Sequence, residues 1–345
     1  MCLYVGKKVA LVAKKDITVY KFLKPSTIDS EWKSPCQNTP VELNKVMKPA
    51  RKSKEVFETS CHKYQINGGV IHACLITNMD DRFGGCTCFE ATIKKGTTYY
   101  VQDDFIDIAA EEIYISDKKV EGDTVSPNIK EICDDYMDAL GDLREFTNKD
   151  GIKIGYLYLT NGTYVSPKDT FEQDDVIGIV AFFDKNDNPI VTALEDVSLP
   201  WLTQYDMRNK IQSDIKDTEK DFDGKKHTAD IASSKDYDKD KFKAIAYCLD
   251  YDAGGKTKKG EWYLGATGEM IEMAKNLGVI NATIIYTGIG SVIRADWVWT
   301  SSEVSYGHNP GVWDCRLGGG NCGSNCYGRG YECQVRPCAA FINEA

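Results

Sequence analysis

Up to about residue 120 the apolar positions come in short runs broken by Gly, Asn and Asp: VALVA, ITVYKFL, GGVIHACLI, CFEATI, TTYYV and EEIYIS. Runs of this length, rich in β-branched and aromatic residues, predict strands, and so a small strand-rich domain over 1–125. The spacing then changes. After a Ser-Pro start at Ser126, residues Ile129, Ile132, Cys133, Tyr136, Leu140 and Leu143 recur at helical intervals, which predicts a helical connector over 126–150. A second strand series follows in IGYLYLT, DVIGIVAFF and PIVTALED, with turns at Asn161-Gly162 and at KNDN.

Residues 203–241 are highly charged and poor in large apolar side chains, which predicts a solvated helix or surface insertion. Two further helical stripes come next. Asp238 is placed to cap KDKFKAIAYCLDY, with Phe242, Ile245, Ala246 and Leu249 on one face. Thr267 is placed to cap GEMIEMAKNL, which should stop at Gly278 and align Met270, Met273, Ala274 and Leu277. Beyond Asn281 the pattern predicts short strands alternating with Gly-rich loops: WVWTSSE, VWDCRL and CQVRPCAAF. The whole reads as an α+β chain.

Composition changes this picture at the tail. The 345 residues carry a formal net charge of −10, which argues against a nucleic-acid partner, because binding phosphate backbones requires a basic face. All 34 lysines lie at or before Lys275, leaving Arg294, Arg316, Arg329 and Arg336 as the later cations. From Val304 to Glu332 the chain holds eight glycines and no Lys, Gln or Met. Such a segment offers few large apolar side chains and much backbone entropy to lose, so it predicts irregular loops rather than core. Tryptophans before and within it and VRPCAAF after it predict anchored ends, the general layout of a binding site. No run approaches the eighteen or so apolar residues of a membrane helix, so no membrane insertion is expected. The lysine-broken N-terminus lacks a secretory apolar run, so a cleaved signal peptide is not expected either.

GEWYLGATGEM (260–270), INATI (280–284), WVWTSSE (297–303), VWDCRLGGGN (312–321) and VRPCAAF (335–341) together resemble the variable proteins of diversity-generating retroelements. These belong to the formylglycine-generating-enzyme-like branch of the C-type lectin fold, and the resemblance extends over about 151–345. The chain departs from the family's pattern at Gly265, Thr267 and Cys338. The resemblance implies a C-terminal C-type-lectin-like domain whose tail is rewritten by error-prone copying at adenines. Codons of the resulting type exclude Lys, Gln, Glu, Met and Trp. From Val304 to Cys333 only Trp313 and Glu332 belong to those five types, which supply 73 of the 345 residues.

The same resemblance makes Ser305, Tyr306, Gly307, His308, Asn309, Asp314, Arg316, Gly318, Gly319, Asn321, Gly323, Ser324, Asn325, Tyr327, Arg329 and Tyr331 the solvent-facing, variable ligand-binding positions. Trp299, Ser301, Ser302, Glu303, Trp313, Leu317, Val335, Arg336, Pro337 and Phe341 would be scaffold. The tyrosines supply flat amphipathic area and the Ser, Asn and Gly residues adaptable hydrogen bonding, as in antibody paratopes. The function implied is binding a host cell-surface protein or glycan from a phage tail, by a homo-oligomer assembled in the host cytoplasm and attached to virion tail proteins. A non-diversified adhesin of the same fold and a cysteine-dependent oxidase are the alternatives. Neither Cys322-x3-Cys326 with Cys333 and Cys338 nor His72-x-Cys74 with Cys86-x-Cys88 has a clean paired zinc-ligand spacing. No phosphate loop, nucleophile elbow or HExxH run is present, and the acidic runs DDFIDIAAEE and DIKDTEKDFD read as solvated faces. No enzyme activity, metal or cofactor is therefore expected.

Overall fold

The structure is a computed structural model that describes residues 3–5, 9–25, 32–35, 39–49, 55–58, 64–77, 83–141, 144–203, 217–294, 296–306, 309–318 and 330–341. For 3–5, 55–58, 67, 144, 305–306 and 309–310 it describes the backbone alone. The chain is mixed α and β with strands predominating, and it divides into two compact units, 1–59 with 63–140 and 60–62 with 141–345.

The first unit is built on an antiparallel sheet whose main path runs 11–12, 98–101, 107–110, 71–74, 17–25, 87–93, 113–119 and 45–47. Side chains alternate across a strand, so Ile17, Val19 and Leu23 turn inward together, against Phe89, Ala91 and Ile93 of the neighbouring strand. The helix Ile129–Gly141 belongs to this unit up to Leu140. It buries Ile132, Cys133, Tyr136, Met137 and Leu140, and the Tyr136 ring meets Phe105 edge-on at 5.4 Å. The strand Asp107–Ala110 lies inside DDFIDIAAEE, where a solvated face was expected. Asp103, Asp104 and Asp107 are buried there; the turn consumes both oxygens of Asp104, with Oδ1 accepting the Ile106 N–H at 3.0 Å and Oδ2 accepting Gln102 Nε2 at 2.9 Å, and Asp107 Oδ1 accepts the Cys74 thiol at 3.6 Å.

Among the described residues the second unit holds two sheets. The larger is antiparallel, in the order Tyr164–Val165, Leu157–Leu159, Val176–Phe183, Pro189–Ala193, Pro337–Ala339, Tyr263–Leu264. Val176–Phe182 is buried without alternation, as a strand covered on both faces must be. Helices Thr267–Lys275 and Leu277–Thr287 pack on it, and Asn276, between them, donates Nδ2 to the Ala181 carbonyl at 2.9 Å. The smaller sheet has the order Val197–Pro200, Glu332–Val335, Trp297–Tyr306, Asn309–Arg316. Its core joins Trp201, Trp299, Val312 and Val335 to Ile231 of helix Gly224–Ser233 and to Phe242, Ala244, Ile245 and Cys248 at helix Lys243–Asp250.

Three local expectations are corrected. Gly278 does not end the helical region: the chain breaks at Asn276 and continues as Leu277–Thr287, stopped by left-handed Gly288 (φ 74°). Thr267 does not cap its helix; Ala266 holds the cap position, Glu269 Oε2 accepts the Ala266 N–H at 2.7 Å, and the Thr267 hydroxyl faces that of Thr300 at 3.2 Å. The charged stretch 203–241 is not wholly solvated, since Asp221, Gly224, Thr228 and Ile231 are buried. Thr228 Oγ1 both accepts the Leu264 N–H and donates to the Leu264 carbonyl, which seals that helix to a sheet edge.

Candidate ligand-binding segment and its buried polar anchor

A hairpin of Trp297–Tyr306 and Asn309–Arg316 leads into the Gly-rich tail segment. Its register is irregular in one place: Trp299 pairs with Asp314 and Glu303 with Val312, so Thr300, Ser301 and Ser302 stand opposite Trp313 alone. A bulge of this kind breaks the ladder and forces its polar groups to find other partners. Thr300 Oγ1 donates to the Trp313 carbonyl at 2.7 Å, Trp201 Nε1 donates to the Thr300 carbonyl at 3.0 Å, and the Ser301 N–H bonds the Gly265 carbonyl at 2.8 Å. Ser302 Oγ accepts the Thr267 N–H at 2.9 Å and donates to Asp221 Oδ2 at 2.5 Å. Thr300, Ser301, Ser302 and Glu303 are all 0% exposed, so this is a buried polar hub.

Glu269 lies in the same region. Its carboxylate accepts the Ala266 N–H and the Tyr263 hydroxyl, the latter at 3.1 Å. Burial is the largest influence and pushes its pKa up to about 7, against the pull of these donors, with the nearby Asp221 charge adding to the rise. Position 224 must be glycine for this packing, since a Cβ there would stand 2.2 Å from Glu269 Oε2.

Two carboxylates and an imidazole gather beside the hub. Asp221, Asp223 and His227 each place one potential ligand atom within 4.8 Å of the other two. His227 Nε2 is 3.6 Å from Asp221 Oδ1, and the buried Nδ1 has no hydrogen-bond partner. Burial lowers the His227 pKa while Asp221 and Asp223 oppose that shift. These residues lie in the stretch read from sequence as solvated. An Asp-x-Asp-x3-His spacing was the signal available, and the surrounding charge concealed it.

The residues expected to bind ligand fall into distinct classes. Arg316 is exposed and Tyr331 is 60% exposed. Asp314 is 0% exposed, which corrects its placement among the solvent-facing positions: it pairs with Trp299 across the ladder, and its side chain is enclosed. Gly318 is also buried. Ser305, Tyr306 and Asn309 are described in backbone only, at the end of the hairpin where Tyr306 pairs with Asn309. Gly307, His308, Gly319, Asn321, Gly323, Ser324, Asn325, Tyr327 and Arg329 lie outside the described residues.

The anchors on either side are built differently. Trp299 and Leu317 are fully buried, and Trp299 Nε1 donates to the Leu199 carbonyl at 2.9 Å. After the segment, Val335 is fully buried and Arg336 is 1% exposed. The Arg336 guanidinium donates to the Ala193 carbonyl at 3.0 Å and the Ser291 carbonyl at 3.1 Å, tying three distant stretches together. Phe341 stacks on Tyr158 at 4.6 Å. Cys315 and Cys338 are both buried, and burial pushes the Cys338 thiol well above its usual range. A thiol in that state is a poor nucleophile. No helix among the described residues is long and apolar enough to cross a membrane.

No protein family, curated relative or solved structure matches this chain.

Proposed function

We propose that the second unit is a C-type-lectin-like display domain that binds a ligand through the segment between Leu317 and Glu332 and the hairpin end before it. The observation that carries this reading is the contrast across Leu317 and Val335. Both are fully buried, whereas Arg316 and Tyr331, next to the segment's two ends, are exposed. A segment whose flanks are held by packed side chains can change its own residues without unfolding the frame. The return of Glu332–Val335 to the sheet that the segment leaves, followed by the pairing of Pro337–Ala339 with Pro189–Ala193, supports the lectin-like reading, because both ends of the segment are tied into one frame.

The near absence of Lys, Gln, Glu, Met and Trp from Val304 to Cys333 supports diversification by a retroelement. In this reading the domain recognises a host-surface protein or glycan as part of a phage tail. Several copies displayed together would multiply a weak single contact. Sequencing the gene across a population tests the proposal. Substitutions confined to adenine-containing codons of 305–331, with a near-copy of the segment in the flanking DNA, are expected. An invariant segment without such a copy would leave a fixed adhesin of the same fold.

A further inference from the structure

We infer that Asp221, Asp223 and His227 bind a single divalent transition-metal ion of the zinc type. The inference stands whether or not the tail binds a ligand. Its first ground is distance. Each residue brings one ligand atom within 4.8 Å of the others, and His227 Nε2 lies 3.6 Å from Asp221 Oδ1. That separation is too long for a hydrogen bond. It is close to the roughly 3.4 Å that separates two ligands of a tetrahedral zinc ion with bonds of about 2.0–2.1 Å.

The second ground is that the His227 ring and the Asp223 carboxylate make no hydrogen bond that would hold them away from an ion. The His227 side chain is 12% exposed, yet its buried Nδ1 has no hydrogen-bond partner. Nε2, which faces Asp221 at 3.6 Å, makes no hydrogen bond either, and a largely buried imidazole with neither ring nitrogen hydrogen-bonded leaves Nε2 available to an ion held between it and the carboxylates. Asp223 holds the N-cap position of helix Gly224–Ser233, where an aspartate side chain ordinarily accepts a backbone N–H of the first turn. Here it makes no such bond. Asp223 and His227 are four residues apart, and so lie on one face of the helix start.

The third ground is the support behind the ligands. Asp221 is held from behind by Ser302 Oγ on Oδ2 and by the Asp223 N–H on Oδ1, and its carbonyl accepts the Gly268 N–H at 2.9 Å. Hydrogen bonds of this kind orient a metal-binding carboxylate before the ion arrives. Asp223, with a side chain 58% exposed, gives the ion a path from solvent and leaves room for water as a further ligand. The competing cation, Lys185 Nζ, is 4.0 Å from Asp223 Oδ1 on a side chain that is 74% exposed, so it can swing away. An imidazole with two carboxylates suits first-row transition ions better than calcium or magnesium, which prefer oxygen alone. Through Ser302 the ion would brace the bulged strand.

Titration of the full, reduced chain with Co2+, followed by visible absorption and by displacement with Zn2+, tests the site. One equivalent should bind with the spectrum of oxygen and nitrogen ligation. Asp223→Asn, at an exposed position that does not threaten folding, and His227→Gln should each weaken binding by about tenfold or more. Asp230→Asn removes an exposed carboxylate of the same helix that is paired with Lys226, and should leave binding unchanged. Absence of saturable binding, equal binding by the first two variants, or thiolate-to-cobalt charge-transfer absorption would overturn the assignment, the last by giving the ion to cysteines.

Discussion

Each sheet of the second unit has a buried central strand, but the two are buried by opposite means. In the larger, Val176–Phe182 packs aliphatic and aromatic side chains on both faces, and its stability derives from area withdrawn from water. In the smaller, the central strand buries Thr300, Ser301, Ser302 and Glu303, and holds together through side-chain hydrogen bonds to Asp221, Trp201 and Thr267. The comparison teaches that burial and apolarity are separate properties. A non-directional core tolerates substitutions that keep volume, whereas a polar hub constrains geometry atom by atom. On the proposed reading, a strand that holds a binding segment in one register gains from the second kind.

The sharpest break of the comparison is in the aliphatic sheet. Phe182 is 1% exposed, and Phe182→Ala should cost about 3–5 kcal/mol in a urea unfolding titration, through lost burial and the cavity left behind. A cost near that of a surface substitution would mean that this sheet is not the principal core.

The polar region should instead reveal itself through pH. Glu269 has a folded-state pKa of about 7 against an ordinary 4.5, so the fold binds its proton more tightly than the unfolded chain does. The contribution is therefore fully present below the unfolded value and is lost as pH rises through 7. Glu269→Gln should remove that slope, so that variant and wild type diverge by on the order of 3 kcal/mol between pH 4.5 and 8. Parallel stability curves would show that the carboxylate is ionised in the fold throughout. Phe182→Ala, by contrast, should shift the curve without changing its shape.

Ser302→Ala isolates the hub itself. It leaves the Asp221 carboxylate and the Thr267 N–H each short of a partner and should cost about 1–3 kcal/mol. A double-mutant cycle with Asp221→Asn should give a coupling of roughly 0.5–3 kcal/mol. Additive losses would separate the two residues and weaken the view of the bulge as one network.

The same contrast explains what the sequence made legible. Val176–Phe183 and Ile129–Gly141 were readable because their burial follows apolar periodicity. Asp221 and Asp107 were not, since a polar residue whose hydrogen bonds are made inside looks identical to one facing water, and Ser301, Ser302 and Glu303 were placed in the scaffold by the family resemblance alone. The break at Asn276 was displaced to Gly278 for a related reason: Asn276 ends one helix while its amide reaches the Ala181 carbonyl, a tertiary bond with no local signature. Within the candidate segment, residue types alone could not tell buried Asp314 from exposed Arg316, which lies two positions further along the same strand.

The smallest stability effect belongs to the segment's rim. Tyr331 is 60% exposed and Arg316 is exposed, so neither carries core packing. Tyr331→Ala and Arg316→Ala should each change unfolding free energy by no more than about 0.5 kcal/mol, the usual range for surface positions. If these residues belong to a binding surface, their loss must show elsewhere. On the proposed reading, adsorption of the purified chain to a host-cell surface should fall at least about tenfold in either variant, the consequence of losing an aromatic or arginine contact of about 1.4 kcal/mol. Ser302→Ala should lower adsorption only in proportion to its effect on folding. Unchanged adsorption in both rim variants would move the binding surface away from the end of the hairpin and the return of the tail.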